Sequence, residues 1–97
     1  MQKIAKQVPV IGHVYAVHTG TYAGQMLLYI TRESVDYCFL SIPEMRNFTI
    51  PQTIFEHGVK TGIVKYVETL PKYVTKVAVA QYSQNSKTKQ SVSRIEE

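Results

Sequence analysis

Five short runs between residues 10 and 68 are rich in β-branched and aromatic residues, and glycine, proline or a polar turn closes each one. Runs of this length, so bounded, read as β-strands, whose side chains alternate between two faces. Residues 10–19 put His13, Tyr15 and Val17 on one face and Val14, Ala16 and His18 on the other. Residues 26–31 are apolar almost throughout, the pattern of a strand buried on both sides. Residues 35–42 alternate again, with Val35, Tyr37 and Phe39 against Asp36, Cys38 and Leu40, and Pro43 ends the run. Residues 48–50 form a shorter strand. In residues 62–68, Ile63, Lys65 and Val67 oppose Val64 and Tyr66.

Two segments break the pattern. Residues 51–57 fit one or two helical turns, with Pro51 early and Gly58 as the C′ glycine. Residues 72–82 carry two competing periods. A helix from Pro71 stacks Leu70, Val74, Val77, Ala78 and Gln81 on one stripe, and a strand pairs Tyr73, Thr75, Val77 and Val79. Pro71 and Thr69, a candidate N-cap, favour the helix. With 97 residues, 44% hydrophobic and 19% charged, the chain holds one small core and is not wholly disordered. The expected organisation is a flexible arm over 1–8, a single domain over 9–82 and a disordered polar tail over 83–97. Five strands, a short helical insertion and a C-terminal helix predict a mainly β fold, a strongly bent or partly open small barrel of the SH3-like kind.

Several functions are excluded at this level. The longest apolar stretch, residues 25–31, is far too short to span a bilayer. The first residues lack the apolar stretch of a signal peptide, so a cytoplasmic protein with no membrane association is expected. A single cysteine, Cys38, rules out a disulfide within the chain. Its place in an apolar strand makes it structural. His13 and His18 face opposite sides of their strand and His57 stands in a helical turn, so no metal or other cofactor is predicted. No nucleophile elbow or phosphate loop is present. Arg32, Glu33, His18 and Arg46 are the residue types a metal-free ribonuclease needs, but no spacing ties them together. The expectation is a non-enzymatic protein.

One motif goes further. Gly12, Tyr15, Val17, Gly20, Tyr22 and Gly24 recur at fixed spacing: two inward residues on one strand face, two glycines that let the chain reverse, and an aromatic that packs over the turn. This stretch, residues 12–24, resembles the KOW motif, a strand-turn-strand element of SH3-like barrels in ribosomal proteins and transcription elongation factors. It departs from that pattern at His13, where an acidic residue often stands, at Leu27, where a glycine is expected, and at Thr21 and Ala23, where basic residues commonly flank the turn. The resemblance implies an SH3-like barrel and nucleic-acid binding. Residues 51–82 are similar in layout to small accessory proteins of phages and plasmids.

Charge carries the functional expectation. The net charge is +4, and its excess sits late: Lys60, Lys65, Lys72 and Lys76 stand against Glu68 alone over residues 59–82. Tyr66 and Tyr73 interleave with these lysines, and Tyr22 flanks the hairpin turn. Stacking rings beside a cationic track suit RNA or single-stranded DNA. The expected site is therefore Tyr22, Lys60, Lys65, Tyr66, Lys72, Tyr73 and Lys76, in a small nucleic-acid-binding accessory or regulatory module. The alternative is a protein-interaction module or inhibitor that docks on a partner protein.

Overall fold

The structure, a computed structural model, describes residues 9–87 and 93–95. The expected arm and residues 88–92 and 96–97 of the expected tail lie outside those residues, while the rest of the expected tail is ordered, 83–87 in a helix and 93–94 in a strand. The chain forms β1 (His13–Val17), β2 (Met26–Glu33), β3 (Asp36–Ser41), β4 (Asn47–Pro51), α1 (Gln52–Thr61), β5 (Val64–Thr69), α2 (Lys72–Lys87) and β6 (Ser93–Arg94). The order in the sheet is β5-β1-β2-β3-β4-β6, with β5 and β6 at the two edges. The first five strands pair antiparallel, and β6 joins β4 in parallel. The fold is thus mainly β, as the runs of alternating residues imply: five antiparallel strands in one open sheet, a helix between strands and a C-terminal helix.

Both faces of the sheet are covered. Alternation sends Tyr15, Val17, Leu27, Tyr29, Tyr37, Phe39, Phe48 and Ile50 to one face, where Phe55 of α1 closes the core with Val64. It sends Val14, Leu28, Ile30 and Leu40 to the other face, where Ala78 of α2 packs beside Tyr82 and Val79. Residues 27–30 and 37–40 are buried at every position, which fits strands covered on both sides.

The expected end of α1 moves. Gly58 lies inside the helix and is buried, because a Cβ there would stand 2.9 Å from Val64 Cγ2. The helix instead ends at Gly62, whose φ of 85° is the left-handed cap that glycine adopts without strain. Gly58 therefore serves close approach between α1 and β5.

Residues 72–82 are helical, but the inward stripe is rotated from the expected one. Val77 is 67% exposed, while Thr75, Ala78 and Asn85 are buried. Contacts at the two ends of α2 set this rotation. At the start, Leu70 N donates to Gly12 O at 2.9 Å, and Thr75 Oγ1 lies 3.3 Å from where a Cβ of Gly12 would sit. At the far end, Asn85 Nδ2 donates to Asn47 Oδ1 at 2.9 Å and to Met45 O at 3.1 Å, and Asn47 Nδ2 donates to Tyr82 O at 3.2 Å. The helix therefore crosses the sheet from the start of β1 to the β3–β4 turn. It continues five residues past the expected domain boundary at 82, because Asn85 is part of this latch.

The two polar positions on the inner side of α2 should respond in opposite directions. Asn85→Leu leaves Asn47 Oδ1 and Met45 O without the donor that Asn85 supplies and is expected to cost about 2–3 kcal/mol. Thr75 Oγ1 is buried without a hydrogen-bond partner, so the isosteric Thr75→Val is expected to gain about 1 kcal/mol. Urea unfolding of both variants checks this. A stable Asn85→Leu protein would show that the latch does not hold the helix.

Candidate functional site

The expected site residues fall on two sides of the molecule. Val64 joins the core beneath α1, so Tyr66 lies on that face and Lys65 on the opposite one. Tyr66 is 53% exposed. Its ring meets His13 at 5.1 Å and Tyr15 at 5.9 Å, and its hydroxyl shares a 2.6 Å hydrogen bond with Thr69 Oγ1. Lys60 stands in the last turn of α1. Tyr22 is half-buried at the hairpin turn and packs edge-on against Phe48 at 5.9 Å. Lys72, Tyr73 and Lys76 share the outward side of α2, where Tyr73 is 73% exposed. The structure thus groups three of the seven and separates Lys60, Tyr22 and Tyr66 from them. The mixed ring-and-lysine track read from the sequence is divided by the sheet.

Sequence reasoning missed the full cationic face of α2. At 3.6 residues per turn, Lys72, Lys76 and Lys87 lie within about 60° of arc. Ala80 and Ser83 fall on the same stripe, and all five residues are exposed. The sixteen residues of α2 include no carboxylate. Among the described residues the ion pair is Arg46–Glu44 at 3.0 Å, and none of Lys60, Lys65, Lys72, Lys76 or Lys87 takes part in one. Lys87 falls in the expected tail; its signal in the sequence is the i+15 spacing from Lys72, which matters only if the helix continues.

A second feature is a cleft of about 620 Å³ on the α1 side. Ile54, Ile63, Val64 and Ile95 form apolar walls, and the hairpin turn contributes Thr21 and Tyr22. Tyr22 and His57 are its ionisable side chains, and among the described residues no lysine or arginine lines it, so it offers shape for an apolar group and no cation for a phosphate. Residues of β1, the hairpin turn, β4, α1, β5 and the stretch after β6 build it, which is why the sequence gives no sign of it.

The remaining reactive groups are held in the fold. Cys38 is buried, its thiol hydrogen-bonded to the Tyr82 side chain, and burial pushes its pKa up, which makes it a poor nucleophile. His13 Nδ1 accepts Val10 N–H at 3.4 Å and shares a 3.1 Å hydrogen bond with the Tyr15 hydroxyl. His18 follows β1 at the hairpin-turn end, whereas Arg32 and Glu33 sit at the opposite end of β2. Seven strand residues at about 3.3 Å each separate the two ends. Arg46 is engaged by Glu44 and lies 5.7 Å over the Phe48 ring. The four residue types of a ribonuclease are therefore not assembled. Among the described residues no three His, Cys, Asp or Glu side chains are placed to hold a metal ion. No helix among them is long and apolar enough to cross a membrane. Comparison with family models, with curated proteins and with solved structures finds no match to this chain.

Burial of the tyrosine row gives a pH signature. Desolvation, with smaller contributions from Tyr66, Tyr37 and Tyr29, pushes Tyr15 up to about 12 from an ordinary value of 10.0. Burial also raises Tyr29, Tyr37 and Tyr82. The folded state therefore keeps phenolic protons that the unfolded chain releases above pH 10. Stability is fully present below that pH and falls as pH rises toward 12. Urea midpoints measured from pH 9 to 11 should decline, and Tyr15→Phe should flatten the decline. A flat wild-type profile would contradict the assignment.

Proposed function

We propose that the protein is a small, non-enzymatic nucleic-acid-binding module that works through the outward face of α2. The observation that carries this reading is the carboxylate-free helix whose lysines are exposed and, among the described residues, outside any ion pair. A cation already paired within the fold brings little to a phosphate, because the internal partner must be displaced first. Unpaired lysines release counterions directly on binding. The late basic excess and the resemblance of residues 12–24 to the KOW motif support the same reading. Lys65, on the α2 side of the sheet, adds a fourth cation to this side.

Three or four phosphate contacts predict weak binding, about 10–100 μM at physiological salt and tighter at low salt. Lys72→Ala with Lys76→Ala should weaken binding to any nucleic acid and lower the slope of log affinity against log salt by about 2. Lys60→Ala, on the other side, should leave both unchanged. Fluorescence anisotropy with labelled oligonucleotides measures this. Absence of binding at low salt would remove the proposal.

The apolar cleft favours a second reading, in which the domain docks on a partner protein by receiving one of its apolar side chains. A peptide-display selection against the purified protein tests it. Apolar-anchored peptides that lose binding to Ile63→Glu would support the cleft, and peptides indifferent to that change would exclude it.

A further inference from the structure

We infer that the nucleic acid this helix fits is B-form duplex DNA, with α2 seated in the major groove. The inference rests on the nucleic-acid reading above and deepens it. The lysine-bearing stripe of α2 runs Lys72, Lys76, Ala80, Ser83, Lys87, with Tyr73, Val77 and Gln84 exposed beside it. It places cations at both ends and two small side chains in the middle. The fifteen steps from Lys72 to Lys87 span about 22 Å at 1.5 Å per residue. An α-helix is about 10–12 Å across with its side chains, and the B-form major groove is about 12 Å wide with phosphates along both rims. Small residues in the middle of this stripe let that edge of the helix enter, with Tyr73 and Val77 flanking it, while lysines toward its ends reach the rims.

The same geometry disfavours the other nucleic acids. A single strand needs a row of rings on which successive bases stack. The α2 face offers Tyr73 alone, because Tyr66 lies across the sheet and Tyr15, Tyr29 and Tyr37 are buried. The major groove of A-form RNA is too narrow and deep to admit a helix. The sequence pointed to RNA or single-stranded DNA because it interleaved tyrosines and lysines that the fold then separates.

The test uses the full chain with four labelled probes: duplex DNA, duplex RNA, oligo-dT and oligo-U, each from about 50 to about 200 mM salt. Tightest binding to duplex DNA is expected. Lys72→Ala, Lys76→Ala and Lys87→Ala should each cost about eightfold at 0.1 M salt, from a slope of about 0.9 per contact. Ala80→Leu, exposed and favourable to helix, should cost duplex binding about tenfold with the salt slope unchanged, because it fills the space the groove floor needs. Circular dichroism confirms that the variant folds. Equal or tighter binding to a single strand or to duplex RNA, or an Ala80→Leu protein that binds duplex DNA normally, would overturn the groove assignment while leaving the nucleic-acid reading in place. No binding to any probe at low salt would overturn both.

Discussion

Burial of β2 and β3 on both faces is the constraint on which the rest of this molecule depends. Residues 27–30 and 37–40 present apolar side chains above and below the sheet, so neither face can be left to water without exposing a contiguous hydrophobic patch. A sheet of this kind requires a cover on each side. The chain supplies two helices, and each is fixed by a different device. α1 is drawn against β5 by a glycine, since any Cβ at Gly58 collides with the stiff side chain of Val64. α2 is held by hydrogen bonds at its far end, where Asn85 and Asn47 pair across thirty-eight residues of chain.

The means of holding α2 frees its outer surface. Its inner side is a modest apolar stripe with a buried amide pair, and that pair sets which way the helix is turned. Once the rotation is set, every lysine of the helix faces water, and none is required by the fold. A helix docked mainly by long apolar side chains would have tolerated several rotations. One docked by paired carboxamides tolerates a single one, because a buried amide without its partner costs more than the pair gains.

The α1 side has a different character. Rings crowd it: Tyr15 meets Phe55 at 5.0 Å, Tyr37 meets Phe55 at 5.3 Å, and Tyr29 meets Phe39 at 5.6 Å, in edge-on or tilted contacts. Where the hairpin turn and Ile95 meet the rim of α1, this core opens into a cleft. The two sides are thus chemically unlike, one apolar and concave, the other cationic and convex. They invite different partners, which is why the protein-docking and nucleic-acid readings attach to different faces.

Strand identity, the face each strand residue takes and the presence of two helices were legible in the sequence. They follow from local sterics and from a period of two, which neighbouring residues impose by themselves. The turn glycines were legible for the same reason: Gly20 and Gly24 both take positive φ. The end of α1 was not, since Gly58 reads as a helix stop until Val64 is seen against it. The rotation and length of α2 were not, since Asn85 reads as a tail residue until Asn47, thirty-eight positions earlier, is beside it. The candidate site shared that limit. Its lysines are visible in the sequence, but which of them share a face, and that the tyrosines do not join them, is decided by contacts between distant residues. Local chemistry determined the elements; long-range packing decided which of their surfaces is left to act.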